Sequence, residues 1–174
     1  MRPAESFALA LLGAANVFLA ATRPKPVPTP PIAYFESKCA RCHGPVASPD
    51  NSAFEHPLGA DVLAQTVKQM CDGPAQAPLE GPSLQALTAL VGARQRNRPF
   101  LCWTGSKGQA VGGETLAGSE VWAFVEGQPV PAAVSGTHWS VRLPEAAKPH
   151  QTVIVAKFGE STVRLDLSQA SFTQ

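Results

Sequence analysis

The chain has 174 residues, a size that suits one ordinary domain or two small ones. Apolar residues make up 44% of it and charged residues 16%, a balance that excludes a disordered chain. The formal net charge is only +1, so neither a nucleic acid nor another polyanion is expected as a partner. Four cysteines are too few for a disulfide-dense scaffold.

The first 21 residues have the features of an export signal. Arg2 precedes an apolar run over residues 7–21 that ends in small residues, as in a secretory signal peptide. The run is shorter than the ~20 residues that span a bilayer as a helix. We expect cleavage near residues 20–22, with an uncleaved membrane anchor as the alternative because Asn16 interrupts the run. Either way, the rest of the chain is expected to be periplasmic or otherwise extracytoplasmic.

Residues 22–31 form a proline-rich linker with five prolines. Proline fixes φ and removes a backbone donor, so this composition predicts an extended, polyproline-like spacer. A disordered N-terminus of the mature protein fits the same composition.

Residues 39–43 read Cys-Ala-Arg-Cys-His, the C-x-x-C-H pattern of covalent haem attachment. Cys39 and Cys42 stand at i and i+3 on one face of a helical turn, so both thiols can add to the vinyl groups of one porphyrin. His43 follows directly and would be the proximal iron ligand. A redox dithiol or a zinc site at these cysteines are the alternatives. Export favours haem, because bacteria complete covalent haem attachment outside the cytoplasmic membrane.

This stretch resembles the haem site of class I c-type cytochromes, and the resemblance extends over about residues 33–95. It implies a small all-α cytochrome c fold over residues 32–98 that carries one covalent haem c. His56-Pro57-Leu58 resembles the Pro-x-Leu turn of that family, although Leu58 follows the proline directly. The resemblance implies that the Pro57 carbonyl accepts a hydrogen bond from His43 and orients its ring.

Three helices are predicted in this region. The first covers residues 32–42 and is ended by Gly44-Pro45. The second covers residues 60–71, where apolar residues recur with a period of 3.6. The third begins at Gly81-Pro82-Ser83, and the arginines after it suit a solvated C-terminal helix end or an acidic docking partner.

Met70 is the candidate for the sixth iron ligand. It lies on the apolar face of the second helix and is the only methionine besides the initiator. A thioether is a common distal ligand of c-type haem. The resembled family usually places this methionine in the following loop, but residues 73–79 contain none, so Met70 would bind from the helix end. Alternatives are His56 as the ligand, Met70 as a packing residue, or an open sixth site.

After Pro99 the apolar period changes from 3.6 to 2, which indicates strands. Strands are predicted at residues 100–103, 120–126, 137–143, 152–158 and 162–167. Several short strands without helices indicate a small antiparallel β-sandwich over residues 99–174. Residues 136–144 resemble a strand of bacterial immunoglobulin-like modules, which implies an Ig-like domain. The expected fold class is therefore α+β, with the two kinds of structure in segregated domains.

Cys71 and Cys102 remain outside the haem motif in an oxidising compartment, so we predict that they form a disulfide. It would join the end of the Met70 helix to the first strand. Two unrelated buried thiols are the alternative.

The predicted function is single-electron transfer between protein redox partners by a monohaem c-type cytochrome, as a subunit or docking partner of a larger, membrane-bound complex. The protein is not expected to be an enzyme, because His138 and His150 have no carboxylate or thiol at a telling spacing. The alternatives are a haem-based sensor with an open sixth site and a β-sandwich interaction module.

Overall fold

The computed structural model describes residues 23–48 and 54–174, so the predicted export segment lies outside the described residues. The architecture is mixed α+β: a helical half is followed by two antiparallel sheets. Within the described ranges, no helix is both long enough and apolar enough to cross a bilayer.

The helical half contains α1 (Pro31–Lys38), α2 (Ala40–His43), α3 (Ala60–Asp72) and α4 (Gly81–Gln95). The second and third predicted helices are confirmed, with α3 one residue longer than expected. The first predicted helix is instead two helices that meet at Cys39. Helix α1 ends where the Cys39 amide bonds to the Phe35 carbonyl, and α2 begins as a new turn on the Cys39 carbonyl.

Helix α4 packs against both α1 and α3. Helices α3 and α4 approach each other closely at Gly92, where a Cβ would lie 3.2 Å from Leu63 Cδ2. The core around these helices takes Phe100, Cys102 and Leu116 from the β half. The two halves are therefore contiguous, and the helical core is completed by strand residues.

The described residues form eight strands. They are β1 (Leu101–Lys107), β2 (Ala110–Thr115), β3 (Glu120–Val125), β4 (Gln128–Pro131), β5 (Ala133–Ser135), β6 (His138–Arg142), β7 (Val153–Phe158) and β8 (Ser161–Asp166). One sheet has the order β1-β2-β6-β5 and the other β4-β3-β7-β8. The two sheets share one core, in which Trp103 and Trp139 of the first sheet are buried with Ile154 and Leu165 of the second.

Five of these strands agree with predicted ones, whereas β2, β4 and β5 were missed. Two glycines in β2 hide its pattern, yet Gly113 is required there: a Cβ would lie 1.7 Å from the Cys102 carbonyl oxygen. Strand β4 contains two prolines and β5 only three residues, so neither shows a strand pattern.

The described part of the proline-rich segment before α1 packs against the first sheet. Val27 is fully buried, and its amide donates to the Trp103 carbonyl at 2.9 Å. On the same strand the Trp103 amide donates to the Ser171 carbonyl at 2.7 Å. Because β1 is an edge strand, its open side would otherwise expose unpaired backbone groups, and these two segments cover it.

Glu114 of β2 joins the sheet to α1. Its carboxylate is fully buried and accepts hydrogen bonds from the amides of Ile32 at 2.6 Å and Ala33 at 2.9 Å. These amides belong to the first turn of α1, where backbone N–H groups have no acceptor within the helix. The N-cap residue Pro30 provides no side-chain acceptor for them either. Burial raises the pKa of Glu114, while the two amides and nearby His138 act in the opposite direction.

We expect Glu114→Ala to lower the free energy of unfolding by about 2 kcal/mol, because it leaves two first-turn amides without an acceptor. Equilibrium denaturation of the full chain measures this change. Glu120→Ala is the matched control, since Glu120 is an exposed glutamate on the adjacent sheet. Equal stability of the two variants would contradict the role assigned to Glu114.

Candidate haem site

The C-x-x-C-H motif forms one tight helical turn. The amides of Cys42 and His43 both donate to the Cys39 carbonyl, at 3.1 Å and 3.0 Å. Gly44 ends α2 with a φ of 84°, a conformation that glycine adopts without strain. The two cysteines and the histidine therefore lie in a single helical turn directly after α1.

Beside this turn lies a cavity of about 250 Å³ between α1, α3 and α4. Its lining residues are Phe35, Cys39, His43, His56, Leu58, Leu63, Thr66, Val67, Met70, Cys71, Leu87, Val91 and Gln95. Most of these are apolar, and the sulfur- and nitrogen-bearing side chains come from four separate segments. The cavity thus brings together Cys39 and His43 of the motif with both candidates for the sixth ligand, Met70 and His56.

Two predicted site residues are not part of the lining. Cys42 is exposed, although it lies in the same turn as Cys39 and His43. Pro57 is also exposed. Met70 lines the cavity and is 42% exposed.

Gln95 at the end of α4 holds the turn that contains His56, a contact that sequence reasoning missed. Its side-chain amide donates to the His56 carbonyl at 3.2 Å, and its Oε1 accepts from the Leu58 amide at 3.4 Å. No local pattern indicates this contact, because the two segments are 37 residues or more apart. Gln95 therefore fixes the position of His56 at the cavity.

Arg94 closes the side of the site near the motif. Its Nε donates to the Val46 carbonyl at 3.0 Å, and its guanidinium lies 5.4 Å from the centre of the Phe54 ring. Phe54 in turn stacks on Phe35 of α1, with ring centres 5.5 Å apart. Burial lowers the pKa of the Arg94 guanidinium. Arg94 thus connects the end of α4 to the segments that contain Val46 and Phe54. The sequence had instead suggested a solvated helix end or a docking residue.

Tyr34 joins α1 to the end of α3. Its hydroxyl donates to the Ala77 carbonyl, and it also interacts with the Cys71 thiol. Burial, followed by the nearby Cys71 and Cys42, raises the pKa of the Cys39 thiol to about 11. Cys39 is therefore a neutral thiol at ordinary pH.

The predicted disulfide between Cys71 and Cys102 is not formed, because all four cysteines are free thiols. Both residues are buried in the helical core, but they have different surroundings. Cys71 interacts with Tyr34 at the end of α3, whereas Cys102 lies in β1 and has Glu114 as its nearest charged group. Burial raises the pKa of Cys102.

The alternative of a zinc site was also considered. In residues 23–48 and 54–174, there is no group of three or more histidine, cysteine, aspartate or glutamate side chains that could hold a metal ion. A structural zinc site commonly needs four such ligands.

No protein-family model matches the chain, and comparisons with curated proteins and with solved structures found no match.

We expect Cys71 and Cys102 to react with a thiol reagent only after unfolding, because both side chains are almost inaccessible in the folded chain. Mass spectrometry of alkylated, unreduced protein with and without denaturant measures this. Cys102→Ala should remove one of the two labels gained on unfolding. Absence of both labels in denaturant would instead indicate the disulfide.

Proposed function

We propose that the chain is a monohaem c-type cytochrome that carries single electrons between protein redox partners outside the cytoplasmic membrane. The observation that carries the proposal is the cavity that brings Cys39, His43 and Met70 together. The motif selects only the first two of these residues. Met70 comes from a different helix, and its convergence on the same cavity is an independent observation.

The chemistry of the lining residues suits a covalent haem, whose ring is larger than the cavity of about 250 Å³ and would extend beyond it. Each thiol would add across one vinyl group, forming a sulfur–carbon bond while the thiol hydrogen moves to the neighbouring carbon. Nothing is lost in this addition, so the chain gains the mass of one intact haem. Cys39 is at the cavity and Cys42 is accessible one turn later. The apolar lining suits a porphyrin, and a bound ring would cover the exposed Met70 side chain.

The chain's own residues would hold the iron from two sides. His43 would be the proximal ligand and Met70 the distal one, with His56 as the alternative. Gln95 fixes the segment that carries His56, and Tyr34 secures the chain just after Met70. When bound, the haem supplies one-electron exchange at its iron, and the apolar lining limits the access of water to it.

We further propose that the helical half has a cytochrome c fold. In that fold the first and last helices of the domain pack against each other beside the haem. Here α1, which leads into the motif, packs against α4, the last helix before the sheets. Both helices line the cavity, through Phe35 of α1 and through Leu87 and Val91 of α4.

The β half is proposed to be an immunoglobulin-like docking module. In the immunoglobulin fold one sheet holds strands A, B, E and D, and the other holds C, F and G, to which variable-type domains add C′. In chain order, β1-β2-β6-β5 corresponds to A-B-E-D and β4-β3-β7-β8 to C′-C-F-G. Neither β2 nor β7 contains a cysteine, so the inter-sheet disulfide of antibody domains has no counterpart.

In this proposal residues 1–21 direct export, and the protein works in the periplasm or tethered to the outer side of the cytoplasmic membrane. It acts as a carrier within a larger electron-transfer complex and catalyses no reaction of its own. The small net charge and the extra β-domain are compatible with recognition by a protein partner.

The deciding experiment is to express the full chain in a bacterium that matures c-type cytochromes. We expect the intact mass to exceed that of the processed polypeptide by one haem, and a pyridine haemochrome assay to give the spectrum of a doubly thioether-linked haem. A Cys39→Ala, Cys42→Ala double variant should be colourless and should lose helicity, because a helical half of about 65 residues has a marginal core without its cofactor. A colourless, folded wild-type protein would refute the proposal.

Met70→Ala should abolish the sulfur-to-iron charge-transfer band of the oxidised protein and lower its midpoint potential, because thioether ligation raises the potential relative to bis-histidine ligation. Absorption spectroscopy and a redox titration measure both effects. Val62→Ala is the matched control, since Val62 is an exposed apolar residue of the same helix that does not line the cavity.

The same spectra assess the alternatives for the sixth site. If His56→Ala and not Met70→Ala changes the low-spin spectrum, His56 is the ligand. A wild-type spectrum that is high-spin and shifts with carbon monoxide would favour the sensor function over electron transfer.

A further inference from the structure

A second cavity, of about 790 Å³, lies between the two halves of the protein and shares only Leu63 with the lining of the candidate haem cavity. Helices α3 and α4 form one wall, and the start of β8 with Phe172 forms the other. Cavities that bind small molecules occupy roughly 300–1,000 Å³ and occur preferentially at domain interfaces. Both the size and the location of this cavity therefore suit a small-molecule ligand.

The helical wall is built from small side chains. Ala60 and Ala64 are one turn apart on α3, as are Ala89 and Ala93 on α4, so each pair lies on one face of its helix. Because these side chains are short, the two helices leave an open apolar groove between themselves and the sheet. The ring of Phe172 provides a large apolar surface opposite them.

The charged side chains that line the cavity are all positive. Arg96 and Arg98 line it, and no aspartate or glutamate does. The Arg96 guanidinium is held in place, since it donates to the Gly92 carbonyl at 2.9 Å and to the Leu58 carbonyl at 3.4 Å. Arg98 is exposed two residues later. Guanidinium groups bind carboxylate and phosphate oxygens through paired hydrogen bonds, so this end of the groove suits an anion.

We propose that this interdomain cavity, here called the arginine groove, binds a free anionic amphiphile: a small molecule with one carboxylate or similar acidic group and an apolar body. The acidic group binds at Arg98, beside Arg96, and the apolar body lies along the alanines of α3 and α4 against Phe172. A cationic amphiphile would be repelled at the arginine end, and a neutral one would gain only the apolar contacts. The arginines of the groove do not line the candidate haem cavity, although Leu63 lines both, and no haem is needed for the anion to bind, so this proposal and the proposed function can fail separately.

The test is isothermal titration calorimetry of the full chain, as purified and whether or not it carries haem, with dodecanoate below its micelle concentration. Dodecanol and dodecyltrimethylammonium are matched neutral and cationic probes. Arg98→Gln removes the anion partner, and Arg142→Gln removes an exposed arginine of β6 outside the groove. Ala93→Phe narrows the apolar part, and circular dichroism checks that each variant keeps its fold.

We expect saturable binding of one dodecanoate and markedly weaker binding of the other two probes. Arg98→Gln should weaken dodecanoate binding about tenfold, the effect of losing one charge-assisted hydrogen bond, whereas Arg142→Gln should not. Folded Ala93→Phe should also bind less tightly. The proposal is overturned if dodecanoate does not saturate, if all three probes bind equally, or if Arg98→Gln binds as the wild type does. Binding to anionic lipid vesicles without binding to free dodecanoate would equally overturn it.

Discussion

The buried carboxylate of Glu114 is the contact on which the arrangement of the two halves depends. It comes from the middle of the first sheet and accepts two hydrogen bonds from the first turn of α1, the helix that leads into the C-x-x-C-H motif. A buried carboxylate is costly unless its oxygens are hydrogen-bonded, and the first turn of a helix is costly to bury unless its amides have acceptors. Each element therefore supplies what the other lacks. The position of the C-x-x-C-H motif is in this way set by the β half as well as by the helices around it.

The segment before α1 strengthens the same connection. Val27 pairs with Trp103 on the open edge of β1, and the C-terminal segment pairs with the same strand through Ser171 and Thr173. Both segments thus cover an edge that would otherwise be available for aggregation. Because Val27 is only four residues before Pro31, its pairing also fixes where α1 begins. The β half is consequently part of the scaffold that holds the motif, whatever partner it also binds.

Sequence patterns predicted the parts of the fold that depend on local periodicity. Helices α3 and α4 and strands β3 and β7 have regular apolar spacing, and their bounds agree closely with those expected. Strand β2 was not predicted because Gly112 and Gly113 interrupt its apolar pattern. Gly113 allows the close approach of β2 to β1, a contact between distant residues that a local sequence pattern does not reveal. The role of Glu114 was equally hidden, since its partners are 81 and 82 residues away in the sequence. The expected pairing of Cys71 with Cys102 rested on counting cysteines, and their separate surroundings in the core show why a count could not establish it.

At the candidate site, Cys39, His43, His56 and Met70 could be identified from the sequence, but only the fold shows that they line one cavity. A redox dithiol needs only Cys39 and Cys42, and neither it nor a zinc site requires an apolar cavity beside the motif. A haem does need an apolar cavity, and a thioether is one of the ligands that can bind its iron together with a histidine. Met70 was singled out from the sequence because it is the only methionine after the initiator, and it lies at this cavity with a partly exposed thioether. The proposed covalent haem would use both thiols, His43 and the partly exposed Met70 together, and all but Cys42 line the same cavity.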